Sequence, residues 1–316
     1  MIQADPRYQD AVLGGDDVFV TLPSGQDIRG HLWRSGRDKA PKFLILPGFT
    51  EFCEKYAHVA CRMVQMGFDC LIIDWPGQGR SGHLGDDTLA VHCEGFDGHI
   101  AALEALVAHC GWHRYPRHIV AHSMGGHLAL LIASKWGDKV ASLALSAPMI
   151  VPNAKPASGI RLLAYALTIA GKSKSYAPFT RVPELAELAA FNPDNMLTND
   201  PAGFAWQTYW FHHYPHLRRY GATVGWVATA YGSYARYTSI AAFYKSLKMP
   251  ALVMRPEQEQ VVDSKKIAFA ATYMPQADLV MIADAKHELF NETAKVDHMV
   301  WDHLTRFWDR IGLPVS

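Results

Sequence analysis

The chain has 316 residues, enough for one large α/β domain or two smaller ones. Apolar residues make up 49% and charged residues 19%, the composition of a globular protein with a substantial core. The formal net charge is zero, so bulk charge gives no reason to expect nucleic acid as a partner, and no polybasic run favours an anionic membrane surface. Five cysteines show no CxxC spacing, and the N-terminus lacks a signal-peptide pattern. We therefore expect reduced thiols in a cytoplasmic protein.

Apolar runs alternate along the chain with longer helical patterns. Strands are predicted at 18–22, 28–33, 43–46, 70–73, 118–121, 140–146, 251–254 and 278–282. Several of these runs are continuous, as expected for parallel strands buried on both faces. Helices are predicted at about 55–66, 88–110, 124–136, 264–273 and 293–311. The first two strands have no helix between them and indicate an antiparallel hairpin that leads into a doubly wound, mostly parallel sheet.

The alternation stops between Pro148 and Pro250. Eleven aromatic residues fall within the 34 positions from Phe204 to Tyr237. We interpret residues 148–250 as a mainly helical cap, inserted into an α/β core domain formed by residues 1–147 and 251–316. The aromatic residues fit either the core of the cap or an apolar substrate pocket between cap and sheet, and both interpretations stay open. The longest apolar stretch, 162–170, is too short to span a bilayer.

A serine stands where a predicted strand meets a predicted helix. The segment Ala121-His122-Ser123-Met124-Gly125 resembles the nucleophile elbow G-x-S-x-G, with Ala121 in place of the first glycine. Small residues on either side of the serine allow the strained turn to form. The helix that follows directs free N–H groups and its positive dipole end toward the serine. Ser123 is therefore the candidate nucleophile.

A nucleophilic serine in such a fold is followed along the chain by an acid and then by a histidine. Two of the three histidines after the cap lie on the predicted final helix. His287 instead follows the last strand, at the carboxyl edge of the sheet, and is the candidate base. The acid should follow the strand at 251–254, where Glu257, Glu259 and Asp263 are available. Asp263 also matches the N-cap of the next helix.

Four segments, in this order, resemble the monoacylglycerol lipase and lysophospholipase L2 branch of the α/β-hydrolases. They are LPGFTE (46–51) with Tyr56 following, DWPGQGRS (74–81), HSMGG (122–126), and EQVVD (259–263) paired with KHE (286–288). The segments span nearly the whole chain outside the cap. The resemblance implies the α/β-hydrolase fold with an inserted helical cap.

The resemblance also implies roles for individual residues. The family's acid, normally Asp, falls on Glu259, while Asp263 matches the second Asp of the same segment and is the alternative acid. The family's oxyanion hole uses two backbone N–H groups, which fall on Phe49 and Met124. The family has a histidine directly before the glycine of this loop, and this chain has Pro47 at that position, before Gly48. Because Pro47 fixes φ and lacks an N–H, we expect this loop to be braced differently.

These observations predict a carboxylic ester hydrolase that acts on an apolar acyl chain through an acyl-enzyme and needs no cofactor or metal. Monoacylglycerols and lysophospholipids are the substrates that the resemblance implies. An acyltransferase with the same triad, a non-catalytic ligand-binding protein and a hydrolase of amides or thioesters stay open as alternatives. Any peripheral contact with a membrane is expected through the cap. The sequence does not indicate the oligomeric state.

Two other motifs are interpreted structurally. The run Gly77-Gln78-Gly79 lacks the spacing of a nucleotide-binding loop and is expected to be a turn after a strand. The cluster of His212, His213 and His216 lies beside a proline in the aromatic cap, and we expect a packing or surface role rather than a metal site.

Overall fold

One mostly parallel sheet organises the protein. The structure, a computed structural model, describes residues 5–9 and 14–313. In these ranges the sheet has eight strands, namely β1 (Asp16–Thr21), β2 (Asp27–Trp33), β3 (Lys42–Leu46), β4 (Asp69–Ile73), β5 (Arg117–His122), β6 (Val140–Ser146), β7 (Ala251–Pro256) and β8 (Ala277–Ile282). Their order is β1-β2-β4-β3-β5-β6-β7-β8. The pairs β1–β2 and β2–β4 are antiparallel, and all other pairs are parallel. The predicted strands and the antiparallel hairpin are confirmed.

Eleven α-helices accompany the sheet in the same described ranges. They are α1 (Pro6–Gln9), α2 (Ala57–Gln65), α3 (Asp97–His109), α4 (Met124–Trp136), α5 (Ala157–Ile169), α6 (Leu185–Ala189), α7 (Pro201–His213), α8 (Val224–Ser233), α9 (Ala241–Lys245), α10 (Ser264–Tyr273) and α11 (Ala294–Arg310). Helices α5 to α9 all lie in the connection from β6 to β7, which is the inserted helical part of the fold. Among the described residues, no helix combines the length and apolar character needed to cross a membrane.

Alternate side chains of the central strands pack on opposite faces of the sheet. In β3, Leu44 and Leu46 join the core formed with α3, α4 and α10, whereas Phe43 and Ile45 face α2 and α11. Burial of each such side chain stabilises the fold by about 1.5–3 kcal/mol. The sheet is therefore covered by helices on both faces, as predicted.

The helix predicted at 88–110 was wrong at its beginning, because α3 starts only at Asp97. The residues before it pair with the segment that precedes α8. The N–H of Val91 donates to Gly221 O at 2.9 Å, and the N–H of Thr223 donates to Val91 O at 3.0 Å. This long-range pairing keeps residues near 91 extended, which local apolar spacing does not reveal.

The first turn of α4 packs so tightly that side chains do not fit. A Cβ on Gly125 would lie 2.0 Å from the carbonyl oxygen of Leu46, and a Cβ on Gly126 would lie 2.7 Å from Pro148 Cβ. Ser123 itself has φ 50° and ψ −116°, in a strained region for a residue with a side chain. Since Leu46 and Ala121 are register partners in β3 and β5, the elbow and the loop after β3 leave the sheet side by side.

The close approach of Gly125 to β3 generates a prediction. Gly125→Ala should lower the free energy of unfolding by about 2–3 kcal/mol, because the added methyl group meets backbone atoms that have no room to move. The matched control is Gly232→Ala in α8, where a Cβ meets no atom within 4 Å. That control should be neutral or stabilising by up to about 1 kcal/mol, the helix propensity of alanine over glycine. Equal effects in urea denaturation would contradict the packing argument.

Candidate active site

Three side chains from three loops meet at the carboxyl edge of the sheet. His287 Nε2 lies 2.9 Å from Ser123 Oγ, and His287 Nδ1 lies 2.8 Å from Glu259 Oε2. The side chains of His287 and Glu259 are 4% and 0% exposed. Because an ionised carboxylate only accepts, Nδ1 carries the proton, and Nε2 is left to accept the hydroxyl hydrogen of Ser123. This arrangement can activate the serine oxygen for attack on a carbonyl carbon.

Glu259 and Asp263 have different partners. Glu259 Oε1 accepts the backbone N–H groups of Val261 at 2.8 Å and Val262 at 3.1 Å. Burial by itself raises the pKa of Glu259, but the hydrogen bond and charge of His287 and the two N–H groups outweigh burial and lower it. Asp263 Oδ1 instead accepts the N–H groups of residues 265 and 266 and caps α10. The structure therefore places Glu259, and not Asp263, against His287.

The loop that carries His287 is held by the segment that precedes α7. The N–H of Glu288 donates to Leu197 O at 2.8 Å, and Lys286 Nζ donates to Pro193 O at 2.6 Å. The segment before α7 thus holds the backbone and Lys286 of the histidine loop, whereas Glu259 holds the imidazole ring of His287.

The resemblance assigns the oxyanion hole to two backbone N–H groups, those of Phe49 and Met124. Among the residues that the structure describes, neither N–H has a hydrogen-bond acceptor. Both residues contact Trp226 of α8: the ring centroids of Phe49 and Trp226 are 4.4 Å apart, and Trp226 Nε1 lies 3.4 Å from Met124 Sδ. One indole ring therefore covers both residues.

The loop after β3 is braced by side chains that follow β4. Trp75 Nε1 donates to Pro47 O at 2.8 Å, and Gln78 Nε2 donates to Gly48 O at 3.0 Å. The segment around Gly77 is thus a turn that supports the loop. These two contacts hold the loop in place, although Pro47 stands where the lipase and lysophospholipase branch has a histidine.

A buried lysine links this loop to the histidine loop. Lys55 is 1% exposed, and its Nζ lies 2.9 Å from Glu51 Oε1, 2.7 Å from Glu288 Oε1 and 2.9 Å from Gln207 Oε1 of α7. Glu51 Oε2 accepts the hydroxyl of Tyr56 at 2.7 Å and the N–H of Gly48. Burial alone would lower the pKa of Lys55, but the two carboxylates outweigh burial and raise it. Burial raises the pKa of Glu51, but the charge of Lys55, together with His122 and the hydroxyl of Tyr56, outweighs burial and lowers this pKa to about 2.

The sequence by itself did not indicate a role for this charged group. Glu51 and Glu288 lie within the motifs that carry the resemblance, and this is the signal that could have identified them. Lys55 gave no comparable signal, because lysines are almost always at the surface unless they are paired.

A cavity of about 600 Å³ opens in front of Ser123 and His287. Its apolar wall comes mainly from the inserted helical part and includes Leu188, Leu197, Phe204, Phe211 and Tyr220. Other aromatic residues of that part are buried away from the cavity, for example Trp206 and Trp210, which pack against each other in the core. The aromatic residues between 204 and 237 therefore divide between the buried core and the wall of the cavity.

The histidine cluster at 212–216 is split by the end of a helix. His212 and His213 form the last turn of α7, and His216 lies in the 3₁₀ turn that follows. Within residues 5–9 and 14–313, no three His, Cys, Asp or Glu side chains are placed to hold a metal ion.

The mostly parallel sheet, the serine on its strained turn and the Ser–His–Glu contacts define a serine hydrolase of the α/β-hydrolase class. The family model described as "Serine aminopeptidase, S33" matches residues 38–294, and the chain belongs to this family. Lysophospholipase L2 of Escherichia coli strain K12 is 28% identical over 284 residues, which cover 86% of this chain and 81% of that protein. Monoacylglycerol lipase of Mycolicibacterium smegmatis is 28% identical over 188 residues, covering 55% of this chain and 63% of that protein.

Solved structures agree on the fold. A soluble variant of monoglyceride lipase from Saccharomyces cerevisiae superposes with a TM-score of 0.74 at 16% identity, covering 95% of this chain and 97% of that chain. A thermostable carboxyl esterase from Bacillus coagulans also gives a TM-score of 0.74, at 15% identity, covering 95% and 99%. The predicted fold and the resemblance to the lipase and lysophospholipase branch are confirmed, and the chain is a carboxylic ester hydrolase.

The buried lysine generates a second prediction. Lys55→Met should lower the free energy of unfolding by about 3–5 kcal/mol, because two buried carboxylates lose their cation. The kcat for a short ester should fall by about tenfold to a hundredfold with little change in KM, because the loops at 47–51 and 286–288 shift apart. Urea denaturation and steady-state kinetics measure the two effects.

An exposed ion pair provides the control for Lys55→Met. Lys135 pairs with Glu104, and their side chains are 54% and 37% exposed. Lys135→Met should cost less than about 1 kcal/mol and leave kcat unchanged. The interpretation of Lys55 fails if both substitutions have the same small effect.

Proposed function

We propose that the protein hydrolyses carboxylic esters through a covalent acyl-enzyme at Ser123. His287 takes the hydroxyl proton as Ser123 Oγ attacks the ester carbonyl, and then gives it to the leaving alcohol. Glu259 holds the imidazole in the required tautomer and stabilises its charge. Water, activated by His287, then releases the carboxylic acid. The observation that carries the proposal is the pair of contacts of 2.9 Å and 2.8 Å that joins Ser123, His287 and Glu259.

The proposed oxyanion hole consists of the N–H groups of Phe49 and Met124. The N-terminus of α4 adds its positive dipole end to the same region. Each such donor is worth about 3 kcal/mol of barrier, or roughly a hundredfold in rate. Asp263 is not given a catalytic role in this proposal, because its carboxylate caps α10.

We propose an ester with an apolar acyl chain as the substrate. The cavity wall of aliphatic and aromatic side chains supports this choice. An aminopeptidase needs an unpaired acid to bind the α-ammonium group of its substrate. Two of the carboxylates that line the cavity, Glu51 and Glu288, are buried and paired with Lys55. The third, Asp194, is exposed, and the comparison of esters with amino-acid anilides tests whether it binds an ammonium group.

Lysophospholipids and monoacylglycerols are the proposed lipid esters, on the strength of the relatives' names. We treat residues 148–250 as a cap over the site and as the part that would contact a lipid surface. Acyl transfer to an alcohol would use the same residues. Product analysis with and without added glycerol separates transfer from hydrolysis, since only transfer gives a new ester.

The proposed roles generate a third prediction. Ser123→Ala should abolish labelling by a fluorophosphonate probe and ester hydrolysis. Glu259→Gln should lower kcat by about 10³–10⁴, because the amide favours the wrong histidine tautomer. Asp263→Asn is the matched control and should keep kcat within a few-fold while changing helix stability by about 1 kcal/mol or less. The reverse pattern would transfer the role of acid to Asp263.

The apolar cavity generates a fourth prediction. In a series of p-nitrophenyl esters, kcat/KM should rise with acyl length by up to about fourfold per methylene, equivalent to ~0.8 kcal/mol, until the cavity is filled. Phe204→Ala should reduce this rise, whereas Phe19→Ala, at an exposed position outside the cavity, should not. A rate that falls from the acetyl ester onward, or faster turnover of amino-acid anilides, would refute the substrate class.

A further inference from the structure

A second cavity, of about 490 Å³, opens away from the active site. Its wall comes from strand β2, the 3₁₀ turn at residues 53–56 and the carboxyl end of α7. Among the described residues, it has no lining residue in common with the cavity in front of Ser123. Its volume lies within the range of about 300–1,000 Å³ that small-molecule sites usually have. The proposed ester chemistry does not use this second cavity.

Aromatic side chains form much of the wall of the second cavity. Trp33 comes from β2, Trp210 comes from the last turn of α7, and Tyr214 follows directly after that helix. The rings of Trp210 and Tyr214 stack with their centroids 5.6 Å apart, and the ring of His31 meets that of Trp33 edge-on at 5.3 Å. Aromatic rings that line one cavity from two elements of the fold can attract a cation that lies over their faces.

The charged side chains beside these rings have an excess of negative charge. Glu54 lines the cavity, and its Oε1 lies 2.8 Å from Nη2 of the buried Arg29. Arg29 also pairs with Asp17 and Asp74. Arg80, which lines the cavity too, pairs with Asp17. Two guanidinium groups therefore face three carboxylates, and Glu54 Oε2 has no hydrogen-bond partner in the described part of the chain.

The end of α7 adds to this negative charge. Tyr214 is the C-cap residue of α7, so the partial negative charge of the helix C-terminus lies at the cavity. Four residues of types that can bind a metal line the cavity, namely His31, Cys53, Glu54 and His216. Across residues 5–9 and 14–313, however, no three such side chains are placed to hold a metal ion. Aromatic rings beside an unbalanced carboxylate fit an organic cation better than a metal ion.

We propose that the second cavity binds a small organic cation of the quaternary ammonium class. The methyl groups of such an ion pack against Trp33, Trp210 and Tyr214, and its charge is attracted by the ring faces and by Glu54. A quaternary ammonium group has no N–H to donate, so it does not need the precisely placed acceptors that a primary ammonium group needs. An anion is disfavoured, because both guanidinium groups near the cavity are already paired with carboxylates.

The second cavity lies beside the active site without belonging to it. Lys55 directly follows Glu54, and its Nζ contacts Gln207, which lies one turn before Trp210 in α7. The two cavities therefore share the turn at 53–56 and helix α7 as their partition, while their lining residues differ. Binding of a cation in the second cavity does not require a free Ser123.

The test is isothermal titration of the full-length protein with choline chloride, with sodium chloride as the reference salt. A pH of about 8 keeps histidine side chains mostly uncharged. Choline should bind at one site per chain with a Kd on the order of 1 mM or lower. Its neutral analogue dimethylbutanol, in which carbon replaces the ammonium nitrogen, should bind about tenfold more weakly or less. Glycerophosphocholine presents the same group as a lipid-derived source, and binding of either choline compound supports the site.

Two substitutions test the aromatic wall and the carboxylate separately. Tyr214→Leu removes an exposed ring and should weaken choline binding by about threefold to tenfold, whereas Tyr214→Phe should bind like the wild type. Glu54→Gln keeps an acceptor for Arg29 and should weaken the binding of choline but not that of dimethylbutanol. The matched control Tyr165→Leu, at an exposed position of α5 outside both cavities, should change neither.

Protein labelled at Ser123 by a fluorophosphonate, and the variant Ser123→Ala, keep this test separate from that of the proposed function. Both should bind choline with the wild-type Kd, and urea denaturation shows whether each variant is folded. The proposal is overturned if folded wild-type protein binds neither choline compound, or if dimethylbutanol binds as tightly as choline. It is also overturned if a label on Ser123 abolishes choline binding, or if folded Tyr214→Leu binds choline as the wild type does.

Discussion

The close approach of α4 to the ends of β3 and β6 is the constraint on which the site depends. Gly125 leaves room for the carbonyl of Leu46, and Gly126 leaves room for Pro148. Because β3 and β5 are parallel neighbours in register, the loop after β3 starts beside the elbow. Phe49 and the first turn of α4 therefore belong to neighbouring connections at one edge of the sheet. The oxyanion hole that we propose depends on this proximity, because one donor comes from each connection.

The buried charged group extends this constraint to the rest of the site. Removing Lys55, Glu51 and Glu288 from water is costly, and their mutual attraction mainly offsets that cost. Their effect is geometric: one ammonium group joins the loop after β3, the loop of His287 and helix α7. The loops that supply the proposed oxyanion hole and the proposed base therefore cannot move independently. The lowered pKa of Glu51 and the raised pKa of Lys55 keep both groups ionised over the ordinary pH range.

The sheet and the Ser–His–Glu contacts could be predicted because each depends on local patterns placed in a fixed order. Buried parallel strands are continuous apolar runs, and the elbow needs small residues at set positions, where the methyl of Ala121 is also accommodated. The choice between Glu259 and Asp263 could be made from the resemblance, and the helix cap explains why Asp263 has another partner.

Features that depend on long-range contacts could not be predicted. The backbone near Val91 is extended because it pairs with residues beside α8. Lys55 is buried because the distant residues Glu288 and Gln207 close around it together with the neighbouring Glu51. The spacing of the apolar residues in α5 predicts an apolar stripe along the helix, but not whether that stripe faces the core or the solvent. The apolar run at 162–170 would ordinarily be assigned to a core, yet Leu162, Tyr165 and Ile169 are exposed. The buried residue of α5 is Ala164.

The reacting side chains and the helix that covers the site belong to different parts of this fold. Ser123, Glu259 and His287 lie in loops fixed by neighbouring strands, and their contacts do not involve α5 or α8. Trp226 of α8 instead contacts Phe49 and Met124, whose N–H groups form the oxyanion hole that we propose, and α8 also packs along α5. The segment before α7 and Gln207 of α7 also hold the loops that carry the site. Helices α5 and α8 can therefore change without loss of the Ser–His–Glu contacts more readily than α7 can.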